Sequence, residues 1–281
     1  MCRSLLAVTV ALGSACVDRP VADGEFEDEV PDAEPAPSRL RVLYIGDSIA
    51  RETSSLVRGL LVETGKVTYA ESVADGIAIC DVFPEAVAAE RAAERPDLAE
   101  LVTATQPDLV VMQFWGTQRS PCMSDLDPRT RAYHARYAED AERAMTIIAD
   151  ASGPHMPQVL WVLQGPDREH PMRPQVLNES YRDVAARWPT ARPVDAGREV
   201  SLAATDRDGD RYGWSDVLPC TEYERFTGHC AADVAQIHKP GDDVHFCLAE
   251  VSPSGACDVW SPGVMRFGFA IVASVTDALE L

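Results

Sequence analysis

The sequence predicts an α/β fold in which a parallel β-sheet is covered by helices on both faces. Short runs of residues are apolar on both sides of a strand, and stretches with helical spacing separate them. Strands of this kind belong to parallel sheets, because both of their faces are buried. The predicted strands cover residues 41–45, 67–70, 108–115 and 158–163. Such sheets bind ligands beyond the carboxyl ends of their strands, so functional motifs are expected there.

The predicted helices follow from apolar spacing and from Ala- and Glu-rich composition. They cover residues 54–64, residues 86–105 as one or two helices, residues 129–149 and residues 175–187, and a last helix starts after Pro262. Residues 200–257 lack a clear helical pattern and contain cysteines. We expect this stretch to form an irregular or hairpin-rich insertion.

The composition excludes two classes of partner. The chain has 281 residues and a net charge of −20, and hydrophobic residues make up 46% of it. That hydrophobic fraction is enough for a sizeable core. The negative charge disfavours nucleic acid and anionic membrane surfaces, because both select clustered Lys and Arg. The substrate is therefore expected to be neutral, or the site to be locally shielded.

The N-terminal 38 residues predict export. Residues 1–16 combine a short basic start, an apolar run and small residues before Cys16, as signal peptides do. Cys16 is either acylated after a lipoprotein signal or left as a stray thiol after ordinary secretion. Gly13, three residues before it, stands where lipoprotein signals usually carry Leu, and this departure counts against acylation. Residues 17–38 are rich in Asp, Glu and Pro and predict a flexible tether before a folded domain at 39–281. The protein is expected to be extracellular or membrane-anchored by a lipidated Cys16.

Six further cysteines agree with export. They are Cys80, Cys122, Cys220, Cys230, Cys247 and Cys257. An even number in an exported chain favours disulfides, and six cysteines allow 15 pairings. Proximity along the chain favours Cys220–Cys230 and Cys247–Cys257, which leaves Cys80 for Cys122. None of the spacings is Cys-x-x-Cys, and no paired His follows at a zinc-site interval, so no metal site is expected.

A candidate nucleophile follows the first predicted strand. Gly46-Asp47-Ser48 places a serine just beyond the strand, behind a glycine that permits a tight turn and at the start of a helical segment. The Ser48 N–H can then help to bind an oxyanion, because helix N-termini present free N–H groups. A glycine-aspartate turn with a capping serine would look the same.

A candidate base and its orienting acid lie near the other end of the chain. Asp242 precedes His245 by three residues in a turn-rich segment before the last helix. One loop can therefore present both groups, with the carboxylate on Nδ1 of the imidazole and Nε2 available to deprotonate Ser48. Asp243 competes for the orienting role, but a separation of two residues makes convergence awkward, so Asp242 is favoured.

These motifs and the α/β alternation between them resemble the SGNH (GDSL-like) hydrolase family over nearly all of residues 39–281. The resemblance implies a three-layer α/β/α sandwich with a central parallel sheet, and a triad of Ser48, Asp242 and His245. It also implies that Gly76, after the second strand, donates a backbone N–H to the oxyanion. The cysteine-bearing segments are similar to those of an exported bacterial branch, whose disulfides would fasten the loops around the active site.

The family's asparagine is where the sequence departs from the pattern. After the third strand the chain reads Trp115-Gly116-Thr117-Gln118, so Gln118 falls where the asparagine is expected. A glutamine carboxamide can still donate to an oxyanion, with one more methylene to place. Thr117 is the alternative if the alignment shifts by one residue.

The function implied by the resemblance is that of an exported serine esterase. Its substrate would be an acyl ester, including acetyl esters of a carbohydrate or lipid, with cell-envelope glycan as one source. Two alternatives remain open: an O-acyltransferase on the same scaffold, and a degenerate carbohydrate-binding protein. No cofactor is expected, because the chemistry needs only the triad and the hydrogen-bond donors.

Overall fold

A computed structural model describes residues 38–86, 95–204, 212–249, 257 and 259–281. Residues 38–281 form one compact unit. The predicted signal peptide (residues 1–16) and residues 17–37 of the predicted tether lie outside the described residues. Both assignments therefore stay predictions.

Five parallel strands form the central sheet in the order β2-β1-β3-β4-β5. They are β1 (Leu40–Gly46), β2 (Val67–Val73), β3 (Leu109–Gln113), β4 (Gln158–Val162) and β5 (Ala191–Val194). The four predicted strands are therefore confirmed. β1 and β3 pair directly, with Gly46 beside Gln113, so their carboxyl ends meet at one edge of the sheet.

Helices cover both faces of this sheet. They are α1 (Ser48–Glu63), α2 (Pro84–Ala86), α3 (Leu98–Thr105), α4 (Arg131–Ser152), α5 (Met172–Arg187), α6 (Ala196–Glu199), α7 (Glu222–Phe226) and α8 (Pro262–Leu279), with 3₁₀ turns at Ile79–Val82 and Leu202–Ala204. Alternate residues of β1 point to opposite faces. Tyr44 packs with α1, α6 and α8 on one face, whereas Ile45 packs with α3, α4 and α5 on the other. This confirms the three-layer α/β/α sandwich.

The first helix begins at Ser48, six residues before the predicted start. Asp47 caps it by accepting a hydrogen bond from the N–H of Ile49. Gly46 makes the turn possible, because a Cβ there would lie 2.2 Å from the carbonyl oxygen of Gln113 and 2.5 Å from Cβ of Ala50. The turn therefore brings the start of α1 against β3.

Several elements were not predicted individually. The edge strand β5 contains Arg192 and Pro193, and neither residue signals a strand; proline is tolerated there because β5 lies at the edge. The predicted insertion contains an antiparallel pair of short strands, β6 (Val217–Pro219) and β7 (Val234–Gln236), with α7 between them. The hairpin-rich prediction for this stretch is therefore confirmed in the residues that the structure describes.

Three disulfides join the six cysteines in the pairs that proximity favoured. They are Cys80–Cys122, Cys220–Cys230 and Cys247–Cys257. The first joins the segment after β2 to the segment after β3. The third closes the segment that follows His245. The first disulfide thus holds together two segments that leave the carboxyl edge of the sheet.

The last helix is long and apolar enough to cross a membrane by length and composition alone. Half of it is buried within the protein. Val264, Phe267, Ile271 and Val275 are fully buried in the core on the α1 side of the sheet. Its apolar character is therefore accounted for by packing in the sandwich.

Candidate active site

The candidate site lies at the carboxyl edge of the sheet, between β1 and β3. In a sheet ordered 2-1-3-4-5, the strand order reverses at this point, and open α/β sheets bind ligands there. A cavity of about 660 Å³ opens at this position. Its lining includes every site residue that the sequence predicted: Ser48, Gly76, Thr117, Gln118, Asp242 and His245.

The structure brings Ser48, His245 and Asp242 into one hydrogen-bonded relay. Nε2 of His245 lies 3.0 Å from Oγ of Ser48. Nδ1 of the same ring lies 2.9 Å from Oδ2 of Asp242. A carboxylate only accepts hydrogen bonds, so Nδ1 carries the proton and Nε2 is left to accept the proton of the Ser48 hydroxyl. The arrangement can therefore activate a serine nucleophile.

Asp242, and not Asp243, holds the imidazole. Oδ1 of Asp242 also accepts hydrogen bonds from the backbone N–H groups of Val244 and His245, both at 2.9 Å. These bonds fix the carboxylate and the loop together. Asp243 instead lies at the surface, 3.9 Å from the guanidinium of Arg168.

The electrostatics of the pair favour a charged imidazole. Burial opposes the charged form of His245, but the hydrogen bond with Asp242 and the charges of Glu52, Asp242 and Asp47 outweigh it, so its pKa is raised. Burial likewise opposes ionisation of Asp242, but its hydrogen bonds with His245 and Val244 hold its pKa well below the usual range. The surroundings of His245 thus favour its protonated form relative to a free imidazole.

Asp47 joins the turn that carries Ser48 to the loop after β3. Its carboxylate accepts hydrogen bonds from the backbone N–H groups of Ile49, at 3.1 Å, and Trp115. The side chain is only 2% exposed. Burial raises the pKa of Asp47 to about 6, although the two N–H donors and His245 act in the opposite direction.

Glu52 anchors the loop that carries His245. It lies one turn after Ser48 on α1, and its Oε2 accepts hydrogen bonds from the backbone N–H groups of Phe246 at 2.9 Å and Cys247 at 3.3 Å. Burial raises the pKa of Glu52, even though His245 and these donors favour its charged form. The helix that begins with Ser48 therefore also fixes the backbone next to His245.

Two backbone N–H groups at the cavity are available to an oxyanion. Ser48 is the first residue of α1, so its N–H has no partner within the helix. Gly76 follows β2 with a φ of 67°, a left-handed conformation that favours glycine. Across residues 38–86, 95–204 and 212–249, neither N–H finds a backbone acceptor.

The loop after β3 is fixed by tyrosines of α4. The hydroxyl of Tyr133 donates to the carbonyl of Gly116 at 2.6 Å, and that of Tyr137 donates to the carbonyl of Thr117 at 2.9 Å. Gln118 follows directly in this loop. The sequence analysis missed both tyrosines, although their spacing of four residues on a predicted helix places them on one helix face.

An ion pair beside this loop was also missed. Arg173 of α5 and Asp167 line the cavity and form a salt bridge in which the side chains are 8% and 0% exposed. Arg173 also donates from Nη1 to Oε1 of Gln118 at 2.7 Å. No motif links these residues in the sequence, because Gln118 lies 55 positions before Arg173.

Trp115 is mainly a core residue. It is 4% exposed, and its ring packs on Phe246 and Phe267 with centroids 5.8 and 6.2 Å apart. Phe246 follows His245, so this packing supports the loop that carries His245. In the part of the chain that the structure describes, no group of three or more His, Cys, Asp or Glu side chains could hold a metal ion.

The fold is shared with proteins of known structure. The periplasmic domain of a lipopolysaccharide acetyltransferase from Salmonella ser. Paratyphi A is similar with a TM-score of 0.50 and 10% identity, over 85% of this chain and 84% of that chain. A carbohydrate esterase family 3 protein from Talaromyces cellulolyticus matches with a TM-score of 0.48 and 13% identity, over 86% and 99%. Est24, a carbohydrate acetylesterase from Sinorhizobium meliloti, matches with a TM-score of 0.47 and 12% identity, over 85% and 99%.

These likenesses concern the fold. No family model matches the sequence, and no curated protein matches it. The similarity to the Salmonella domain agrees with the three-layer sandwich that the SGNH resemblance implies. The chemistry must be argued from the site itself.

Proposed function

We propose that the protein is an exported serine esterase of the SGNH kind that removes short acyl groups, such as acetyl, from hydrophilic alcohols such as carbohydrates. The observation that carries this proposal is the relay from Asp242 through His245 to Ser48 at the wall of an open cavity. A serine hydroxyl aligned with an imidazole, which is in turn held by a carboxylate, is the arrangement that activates a nucleophile for acyl transfer.

The reaction takes two steps. His245 accepts the Ser48 proton while Oγ attacks the acyl carbonyl, and the N–H groups of Ser48 and Gly76 with the Gln118 carboxamide bind the oxyanion. The imidazolium of His245 protonates the departing alcohol, which leaves an acyl group on Ser48. His245 then deprotonates a water molecule that attacks this ester, and the resulting imidazolium returns the proton to Oγ of Ser48 as the carboxylic acid leaves.

The lining of the cavity supports a small acyl group and a polar alcohol. Among the described lining residues, only Trp115 and Val244 have apolar side chains. A long acyl chain would need a continuous apolar surface, because its binding depends on burial of methylene groups. Carboxylates outnumber Arg and Lys in the lining, which favours a neutral substrate over an anionic one.

Export is supported by the cysteines. All six cysteines of the predicted folded domain pair in disulfides, which persist in oxidising compartments. An exported esterase would meet acetylated envelope or extracellular glycans, which are esters of the proposed class. Anchoring by a lipidated Cys16 would place the same site at a membrane surface.

The substrate proposal is tested with p-nitrophenyl esters from acetate to octanoate and with acetylated oligosaccharides. We expect kcat/KM to be highest for acetate or propionate, and acetate to be released from the oligosaccharides. Ser48→Ala should remove both activities. A rise in kcat/KM with each added methylene would contradict the proposed acyl preference, and no turnover of any ester would contradict an esterase.

The transferase alternative uses the same first step and differs in the acceptor of the second. An open, polar cavity can admit a sugar hydroxyl as well as water. Mixed assays with an acyl donor and sugar acceptors distinguish the two, because a transferase would form more acylated sugar than free acid. A carbohydrate-binding protein would instead retain glycan affinity in Ser48→Ala and never form a covalent Ser48 adduct.

A further inference from the structure

Arg173 contacts the residue that replaces the family's asparagine. Its Nη1 lies 2.7 Å from Oε1 of Gln118, and both side chains line the cavity that contains Ser48. Arg173 is 7% exposed and comes from α5, on the opposite face of the sheet from α1. The contact is therefore part of the cavity wall.

This contact determines which way the Gln118 carboxamide is turned. A guanidinium has five N–H donors and no acceptor, so the atom that it contacts must be the carbonyl oxygen of the amide. The NH₂ group is thereby left free for another partner. Throughout the described residues this NH₂ donates no hydrogen bond, so a donor pair remains unused in the cavity.

Arg173 is itself held in place. Its Nε donates to Oδ2 of Asp167 at 3.0 Å, and Nη2 donates to the same oxygen. Oδ1 of Asp167 accepts the backbone N–H of His170 at 2.6 Å. Because Asp167 is 1% exposed, this ion pair is shielded from water and fixes the plane of the guanidinium.

The backbone next to Gln118 is fixed without Arg173. The tyrosine hydroxyls described above already hold the carbonyls of Gly116 and Thr117. What remains free is the glutamine side chain, which has one more rotatable bond than asparagine. Arg173 removes that freedom by binding the amide oxygen.

We propose that Arg173 is a positioning residue that orients the Gln118 carboxamide so that its NH₂ group donates to the oxyanion of the reaction. The inference rests on the proposed esterase function. It assigns the donor role to Gln118 and not to Thr117, because the contact with Arg173 holds the Gln118 amide with its NH₂ group unused. The longer side chain of Gln118 and the buried arginine then act as one unit in place of an asparagine.

Substitutions at Gln118 test the donor. Gln118→Glu retains the contact with Arg173 but lacks the NH₂ group, so we expect kcat for a neutral acetyl ester to fall by about 10²–10³-fold, with KM nearly unchanged. Gln118→Ala should lose a similar factor. Thr117→Val should lose less kcat than Gln118→Glu, and a larger loss in Thr117→Val would overturn the assignment.

Substitutions at Arg173 test the positioning role. Arg173→Met leaves Asp167 buried and unpaired, so it is combined with Asp167→Asn, which removes the orphaned charge. We expect this double variant to lose at least tenfold in kcat in the Gln118 background and to have no further effect in Gln118→Ala. Arg182→Met, on the same helix, is the matched control and should leave kcat unchanged.

The outcomes separate this inference from the proposed function. Stoichiometric phosphonylation of Ser48 in wild type and in every folded variant reports the nucleophile, whereas kcat reports the oxyanion donor. No phosphonylation in wild type would contradict the esterase proposal itself. A labelled, folded Arg173→Met/Asp167→Asn variant would overturn the positioning role if it kept wild-type kcat, or if its loss were equal in the two Gln118 backgrounds.

Discussion

Replacing Asp242 by asparagine should reverse the tautomer of His245 without moving the loop. Oδ1 of Asp242 accepts two backbone N–H groups at 2.9 Å, so the oxygen of an asparagine side chain must take that position. The NH₂ group then falls at the place of Oδ2, 2.9 Å from Nδ1 of His245. Two donors cannot face each other, so Nδ1 becomes the acceptor and the ring proton moves to Nε2.

The catalytic consequence follows from the contact with the serine. Nε2 lies 3.0 Å from Oγ of Ser48, and a protonated Nε2 cannot accept the serine proton. We expect Asp242→Asn to lower kcat by about 10⁴-fold, the size of effect seen when a triad acid is replaced by its amide. This corresponds to about 5 kcal/mol of barrier. KM should change little, because the walls of the cavity are unaltered.

The assay is steady-state hydrolysis of p-nitrophenyl acetate, with circular dichroism and a melting curve to verify folding. Asp243→Asn is the matched control, since this neighbour lies 3.9 Å from Arg168 and has no contact with the imidazole. It should retain kcat within a factor of two or so of wild type. The reasoning would be refuted if folded Asp242→Asn kept kcat within tenfold of wild type, or if Asp243→Asn caused the larger loss.

Three further predictions concern proton uptake, the nucleophile turn and the disulfides. The acid limb of kcat/KM should have its midpoint above about 6.5, the ordinary histidine value, because the pKa of His245 is raised and its protonated form cannot act as base; a midpoint below 6.5 would contradict this. Gly46→Ala should lower the free energy of unfolding by about 3 kcal/mol or more, since its Cβ would lie 2.2 Å from a backbone oxygen. In contrast, Gly59→Ala, whose Cβ would have no atom nearer than 3.7 Å, should be neutral or stabilising by about 0.5–1 kcal/mol in urea titrations. Replacing Cys80 and Cys122 together by alanine should reduce the free energy of unfolding by about 4 kcal/mol, the chain-entropy value for a separation of 42 residues, and an unchanged urea midpoint would contradict it.

The layers of the fold were predictable because they rest on apolar pattern. β3 is buried at all five positions, and its run of Leu, Val and Met is continuous in the sequence. The predicted start of α1 was six residues too late. The first turns of the helix bury the polar residues Glu52 and Thr53, which interrupt the apolar spacing that predicts a helix. β5 escaped prediction since a four-residue edge strand containing proline carries no such run.

Apart from Gly76 and Gln118, which the family resemblance supplied, the site was predictable only where its parts are close in sequence. Gly46-Asp47-Ser48 and the Asp242–His245 loop could be recognised because each motif is short, and the structure brings the two together. Glu52 could not be assigned, because its partners lie 194 and 195 positions later. The same holds for Arg173, whose contact with Gln118 depends on how α5 packs beside the loop after β3.

The most direct test of an activated Ser48 is fluorophosphonate labelling of the folded, oxidised protein, with the adduct located by mass spectrometry. We predict a single adduct on Ser48 in wild type and its loss in His245→Ala, because Nε2 of His245 lies 3.0 Å from Oγ of Ser48, where it can take the serine proton. Ser48→Ala supplies the control for labelling elsewhere. Absence of an adduct in folded wild-type protein, or equal labelling in His245→Ala, would contradict an activated Ser48.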